Sequence, residues 1–286
     1  MTDRHMPLDY APSELDRSRA VSGTVGVAAQ AAVQERLNAE FWARGDCVSF
    51  YATDELRAAE RTLLERHRGA LAGRVLEVGC GAGRLTGHLS ELARELHAVD
   101  LSPAMVAFCR SRYPRAVFSE ADLRDLSQFE DGAFDVVVAP FNVLDVLGDA
   151  ERRRALNEIR RVLVDGGLLV MSSHNRGYRA RVSSGIRVLI GSPRRPAASL
   201  RSLPRRIGNR RRLRRLEHAE TGYAIVNDDA HDFSVLHYYI SRDAQGHQLA
   251  DEGFELLECL DLDGRDVPVG AAAAACPELH YVARAA

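Results

Sequence analysis

Residues 75–84 read VLEVGCGAGR, an apolar run that breaks into three glycines spaced two apart, Gly79, Gly81 and Gly83, with the acid Glu77 just ahead of them. The run reads as a buried strand and the residues from Arg84 as a helix, so the glycines fall at a strand-to-helix turn. In open α/β sheets ligands bind beyond the carboxyl ends of the strands, and the first such turn lies there. Glycine lets the chain turn sharply and lie close against a ligand, although a turn without a ligand uses it too. The dinucleotide fingerprint G-x-G-x-x-G would need its third glycine at position 84, which is Arg84. The spacing is instead E-x-G-x-G-x-G. Glu77 puts a negative charge where a pyrophosphate would be repelled and an ammonium or sulfonium group welcomed, which argues against a dinucleotide.

Strand and helix alternate from this point outward. LHAVD is a second strand, SPAMVAFCRSRY a helix with Ser102 as N-cap and Pro103 at its first position, AVFSEAD a third strand and FDVVVAP a fourth. AERRRALNEIRRVL is a helix that stops before Asp165, Gly166 and Gly167, and LLVMSSHN is a fifth strand. After a lapse between Arg176 and about Asp229 the pattern resumes with a helix over SRDAQGHQLADEG and strands FELLECLDL and LHYVARA. Short connections between strands and helices imply a doubly wound α/β domain with a mostly parallel sheet. Ahead of it, residues 1–22 look like a loose leader. VGVAAQAAVQERLNAEFWAR and DELRAAERTLLERH then read as two helices of an N-terminal cap. The division expected is a leader and cap over 1–71 and the α/β domain over 72–286, with an insertion at 176–230 acting as a lid.

Two further acids outline a ligand. Asp100 ends the second strand, where an acid can accept both hydroxyls of a ribose. Asp122 follows the third strand and can accept a hydrogen bond from an exocyclic amine. ExGxGxG on the first strand, Asp100 after the second, Ala121-Asp122-Leu123 after the third and FDVVVAPFNVLDVL on the fourth together resemble the class I S-adenosylmethionine-dependent methyltransferases. The resemblance covers roughly residues 73–175, with a plausible ending in FELLECLDL and ELHYVAR. It implies a Rossmann-like fold of seven strands whose last, ELHYVARA, runs antiparallel, and S-adenosyl-L-methionine as cofactor. It implies that Glu77, Gly79, Cys80, Gly81 and Gly83 surround the methionine part, that Asp100 and Leu101 hold the ribose, and that Asp122 and Leu123 meet the adenine. Ala139 to Asn142 would border the sulfonium and its methyl group.

The acceptor is less legible. A hydroxyl must lose a proton when it is methylated and so calls for a base, whereas a neutral amine needs only orientation. His174, at the carboxyl end of the fifth strand, is the first candidate base and His237 the second. Asn175, His231, Tyr238, Tyr239 and, from the cap, Tyr51 are candidates to touch the substrate. His231 and Asp232, as neighbours in a strand, would point to opposite faces and make no dyad. The expected activity is methylation of a small metabolite, hydroxyl slightly favoured over amine. An RNA methyltransferase and a non-catalytic S-adenosylmethionine-binding protein are the alternatives.

From Arg176 to Arg215 there are fourteen arginines and no aspartate or glutamate, in a chain whose net charge is only -2 and which contains no lysine. The remainder is therefore strongly acidic. The segment reads as a solvated lid, as a lid that recognises an anionic small molecule such as a phosphorylated or carboxylated sugar, or as a surface for nucleic acid or anionic membrane. Its low aromatic content and acidic flanks argue against nucleic acid. No apolar run approaches the ~20 residues that span a bilayer, the N-terminus lacks the order of a signal peptide, and a cytoplasmic location is expected. Five scattered cysteines without a C-x-x-C pair argue against a disulfide framework and against a zinc site, and no metal is expected; they read most simply as buried thiols.

Overall fold

The computed structural model describes residues 27–42, 55–178 and 196–286. Tyr51, Cys47, the expected leader and part of the Arg-rich segment lie outside the described residues. Val27–Trp42 (α1), Ala58–Arg66 (α2) and Arg68–Leu71 (α3) precede the sheet. Strands Arg74–Val78 (β1), Glu95–Asp100 (β2), Val117–Glu120 (β3), Phe134–Ala139 (β4) and Leu163–Asn175 (β5) then alternate with helices Thr86–Leu92 (α4), Pro103–Arg112 (α5) and Asp149–Val162 (α6). These five strands are parallel in the order β3-β2-β1-β4-β5. Glu278–Ala285 (β10) runs antiparallel between β5 and Phe254–Leu260 (β9). This is the direction that the family resemblance implied for ELHYVARA.

β1 shows why a parallel sheet forms: four of its five residues are buried, and Val75, Leu76 and Val78 are apolar, as a strand covered on both faces requires. One face is filled by Ala155, Leu156, Ile159 and Val162 of α6 packing against β4 and β5. The other is filled by Leu64, Leu71 and Leu89 of α2, α3 and α4 against Val75 and Val136. α5 starts as expected, with Ser102 as N-cap and Pro103 at the first position. The Ser102 hydroxyl makes no cap bond, however, and the Asp100 carboxylate accepts from the Ser102 N–H at 2.9 Å instead.

The sheet of the described residues has ten strands rather than seven. The other three, His218–Ala219 (β6), Tyr223–Val226 (β7) and His237–Ile240 (β8), come from or follow the segment expected to form a lid. They form an antiparallel ribbon whose β8 pairs in parallel with the end of β5, His174 opposite Tyr239 and Asn175 opposite Ile240. β5 is long enough to carry this second set of neighbours because it continues past the end of β4. Pro196–Leu213 (α7) lies ahead of the ribbon and Arg242–Asp251 (α8) after it, capped by Ser241 accepting from the Ala244 N–H.

A polar contact inside this core holds its parts in register. Arg152, in the first turn of α6, and Asp145, in the 3-10 turn Val143–Val146, are both 0% exposed and pair at 2.5 Å. Arg152 also donates to Gln248 at 3.0 Å and Gln245 at 2.7 Å on α8. A cation in the first turn of a helix opposes the helix dipole, and Asp145 offsets that cost. Replacing Arg152 by Ala strands a buried carboxylate, so we expect a loss of about 3–5 kcal/mol in urea unfolding; a loss below about 1 kcal/mol would show that the pair is not what holds these elements together.

Candidate functional site

A cavity opens at the carboxyl ends of β1, β2 and β4, lined by the glycine turn, by Asp100 and Leu101, by Ala121 to Arg124, and by Pro140 to Val143. The turn between β1 and α4 has all three glycines at positive φ. At Gly79 a Cβ would lie 2.2 Å from the Val143 side chain, so the turn can sit against the end of β4 only without one. Gly81 faces open space, and its N–H donates to the Asp100 carboxylate at 2.8 Å. Gly83 does not line the cavity. A Cβ there would meet Tyr113 at 2.3 Å, so this glycine serves the packing of the turn against the end of α5.

Glu77 is fully buried beneath the turn. One carboxylate oxygen accepts from the Thr86 hydroxyl at 2.5 Å, and the other, Oε1, has no hydrogen-bond partner. Burial pushes its pKa up to about 8, against the lowering effect of the Thr86 bond. A buried carboxyl with one oxygen unpartnered fits a cationic group such as the ammonium of an amino acid. Cys80 and Leu101 also line the cavity. Burial also raises the pKa of Asp100, although the Ser102 and Gly81 N–H groups both donate to it.

Asp122 and Leu123 line the same cavity. The Asp122 carboxylate is engaged by the Arg124 guanidinium at 2.6 and 2.9 Å, which holds its pKa low against partial burial. Ala139 lies in the core beside Leu76 and Met171 instead of bordering the cavity, because it is still inside β4. The lining begins one residue later. Asn142, left-handed at φ 57°, does face the cavity, its side-chain amide 3.2 Å from Glu278 and 3.4 Å from the His174 Nε2. Glu278 is paired with Arg57 and lies 3.0 Å from the His280 ring, and the Arg57 charge with the contact to His280 holds its pKa low despite burial. Arg57 and Arg84 both lie over the Phe141 ring, 4.7 and 5.0 Å from its centroid, and Arg84 is tied to Glu60 of α2 at 2.5 Å.

Beyond Asn142 the cavity continues to His174, His237 and His231. The Nδ1 of His174 is 2.7 Å from the Asp145 carboxylate, which also accepts from the His174 N–H at 2.6 Å and the Ser173 hydroxyl at 2.7 Å. With Nδ1 on a carboxylate, the Nε2 is left for the cavity. Burial lowers the His174 pKa, but the hydrogen bond and charge of Asp145 outweigh it and the net shift is upward. Two residues along β8 from the stacking partner of His174, His237 repeats the device, with its Nδ1 2.8 Å from Asp228. Burial works against ionisation of Asp228, but the charge of His237 and the bonds from His237 and Tyr239 hold its pKa near about 2.

The remaining substrate candidates separate. The Tyr239 ring stacks on His174 at 4.8 Å and its hydroxyl donates to Asp228, so it supports both histidines from outside the cavity lining. Tyr238, on the opposite face of β8, donates to Asp149 and stacks on Tyr223 in the core, away from the cavity. Asn175 is likewise not a lining residue. Its amide donates to the carbonyls of Ala272, Ala273 and Cys276 and its oxygen accepts from Gly177, so it anchors the loop before β10.

His231 does line the cavity, packed 4.8 Å from the Phe41 ring and 5.1 Å from the Trp42 ring of α1. Burial and the neighbouring His237 lower its pKa to about 4. It lies in a turn rather than a strand: His231, Asp232 and Phe233 are all left-handed. Asp232 makes no dyad with it, being bound by Arg205 and Arg206 of α7. Arg210 turns to Glu217, and the arginines that line the cavity are Arg57, Arg84 and Arg124.

Asp145 and Asp228, the two carboxylates behind the histidines, were not singled out in the sequence. Asp145 had a signal, a lone acid inside the apolar run VLDVL. Asp228 sits among the acids of NDDAHD, where nothing distinguishes it. Four described cysteines, Cys80, Cys109, Cys259 and Cys276, are free and buried, and no helix among the described residues is long and apolar enough to cross a membrane.

Residues 75–167 match the family model described as a methyltransferase domain. A probable S-adenosylmethionine-dependent methyltransferase of Mycobacterium tuberculosis is 42% identical over 102 residues, 36% of this chain and 36% of that protein. The chain thus matches little more than a third of the length of that relative. An S-adenosylmethionine-bound amino pentose methyltransferase from Micromonospora echinaspora is similar over 93% of this chain and 99% of its own, at 20% identity and a TM-score of 0.51. The 1,6-didemethyltoxoflavin-N1-methyltransferase of Burkholderia thailandensis is similar over 92% of each chain, at 15% identity and a TM-score of 0.56. At these identities the structures speak for the fold alone. Strand order, glycine turn and the match over residues 75–167 together identify that stretch as a methyltransferase domain of the class I fold, similar to domains that use S-adenosyl-L-methionine.

Proposed function

We propose that the protein transfers a methyl group from S-adenosyl-L-methionine to a hydroxyl group of a small-molecule acceptor. The observation that carries this reading is the buried Asp145–His174 pair at the end of β5, on the cavity that begins at the glycine turn. S-adenosyl-L-methionine, when bound, supplies an electrophilic methyl group on a sulfonium. Glu77 and the turn would hold its amino-acid part, Asp100 and Leu101 its ribose, and Asp122 and Leu123 its adenine.

An amine acceptor would need no carboxylate-backed imidazole. A hydroxyl does, because its proton must leave as the oxygen takes the methyl group. Asp145 fixes the His174 Nδ1 as a donor, so the Nε2 of the neutral ring is the acceptor, reached at 3.4 Å by the Asn142 amide, which the hydroxyl must displace to give up its proton there. The Asn142 amide, close to the same Nε2, limits the angle from which the hydroxyl can approach. Asp145 in turn is held by Arg152, Ser173 and a backbone N–H, so the base cannot swing away. Trp42, Leu85, Val146 and Leu147 supply apolar walls that exclude water from the reacting groups. Positioning of this kind is the main lever in an in-line displacement.

Two predictions follow from the opposite ends of the cavity. Because Glu77 titrates near about 8 and must ionise to pair with an ammonium group, cofactor binding releases a proton. Calorimetry with S-adenosylhomocysteine should show affinity rising up to about tenfold per pH unit from about pH 6 to 8 and then flattening. Glu77→Gln should remove that dependence, and an affinity that does not change with pH in the unmodified protein would remove Glu77 from the cofactor site.

At the other end, a host metabolite extract incubated with labelled cofactor identifies the acceptor. On it, His174→Ala should lower turnover by roughly 10²–10⁴-fold with S-adenosylhomocysteine affinity intact. kcat/KM should fall on the acid side of a group titrating above the usual imidazole value of ~6.5, because the raised pKa keeps His174 protonated to higher pH. Asp145→Asn should move that limb to lower pH. Near-normal turnover of the His174 variant would end the base assignment.

A further inference from the structure

One carboxylate-backed imidazole is enough to take a proton from a hydroxyl, yet the acceptor end of the cavity has two. The His174 and His237 rings are 5.0 Å apart between centroids and inclined at 36°. Each has its Nδ1 on a separate buried carboxylate, so each turns its other nitrogen away from that carboxylate. Tyr239 fixes their spacing, its ring stacked on His174 and its hydroxyl bonded to the carboxylate behind His237. Asp228 is itself pinned by the Ala230 N–H at 3.1 Å. A second imidazole of this kind, placed at the edge of an apolar cavity, costs desolvation unless a ligand supplies a polar partner.

The spacing says what that partner is. Rings this close address adjacent atoms of one molecule rather than its two ends. A hydroxyl satisfies an imidazole nitrogen in either protonation state, since it both donates and accepts. We infer that the acceptor is a vicinal diol, one hydroxyl methylated at His174 while its neighbour is held by the His237–Asp228 pair. This rests on the methyl-transfer reading above. Proton and methyl are exchanged at one oxygen alone: that oxygen would take the methyl group as the methyl's bond to the sulfonium sulfur breaks and S-adenosylhomocysteine leaves as a neutral thioether, the O–H proton passing to the His174 Nε2 while the second hydroxyl keeps its proton. His237 is thus a specificity-determining residue that selects which of two neighbouring oxygens reacts. Sugars and aromatic ortho-diols share this chemistry, and the product tells them apart.

The test uses the full-length protein and the acceptor isolated from the labelled extract. NMR of the product should show the new methyl ether on a carbon adjacent to another oxygen-bearing carbon, and its carbon shifts show whether the ring is a sugar or an aromatic. A methylated position without such a neighbour overturns the proposal. The analogue lacking the neighbouring hydroxyl should be used at least about tenfold less efficiently by the unmodified protein. His237→Asn should lose a similar factor on the diol, mostly in KM, yet discriminate little between diol and analogue. A structural role for His237 predicts an unchanged preference instead. Asp228→Asn serves as the second variant, and S-adenosylhomocysteine affinity checks that each is folded. One nitrogen of each ring and one oxygen of Asp228 also lie within 4.8 Å of one another. Turnover lost on dialysis against a chelator and restored by a divalent cation would therefore overturn the proposal in favour of a metal gathering the two oxygens. No labelled product at all, with S-adenosylhomocysteine still bound, overturns the methyl-transfer reading itself.

Discussion

Four donors converge on the Asp145 carboxylate: the guanidinium of Arg152, the hydroxyl of Ser173, the backbone N–H of His174 and the His174 ring. A carboxylate this deep is tolerable only when its lone pairs are used, and here they are used by two elements other than the turn that carries it. The turn after β4, the first turn of α6 and the end of β5 meet at one anion. Through Arg152 the same anion reaches α8 by way of Gln245 and Gln248. The site inherits its precision from this arrangement, because the imidazole that faces the cavity is one of the four donors. Loosening the packing around the ion pair would blur the position of the His174 Nε2 even with every cavity-lining residue unchanged.

The parallel core was legible because its physics is local. Apolar strands such as RVLEV must be covered on both faces, and glycines at a strand-to-helix turn mark where side chains cannot fit. His174 was legible for the same reason, since it ends a strand whose direction was already fixed. The ribbon β6 to β8 was not. Its strands are four residues or shorter, and they gain their stability from β5 and from each other rather than from any pattern of their own. Asn175 and Tyr238 were misread because neighbours on a strand alternate faces: beside His174 and His237 in sequence, they point into the structure. Ala139 was misplaced by a single residue at the end of β4. His231 illustrates the limit, for a run of three left-handed residues has no signature in HDF.

The arginine-rich segment finds a partial structural reason. On α7, Arg205 and Arg206 bind Asp232, Asn209 binds the Asp232 carbonyl and the Ser234 hydroxyl, and Arg206 and Arg210 lie over Phe233 at 5.1 and 5.6 Å. Left-handed non-glycine residues cost of order 1–3 kcal/mol each. A helix that brings several cations to one such turn offsets that cost. The cationic face thus acts on the protein's own backbone, at the point where His231 meets α1 above the cavity.

β10 separates β5 from β9 and pairs with both over most of its length, although it lies far along the chain from β5. Until it inserts, β5 presents an open edge of alternating buried residues with unpaired backbone groups, a template for the wrong partner. Closing a contact over so long a loop is entropically slow, so this edge waits for its partner longer than strands paired over shorter loops. Glu278, at the start of β10, also completes the ring of charges around Asn142 and Arg57. Protection from aggregation and completion of the cavity are thus a single folding event, and selection on one acts on the other.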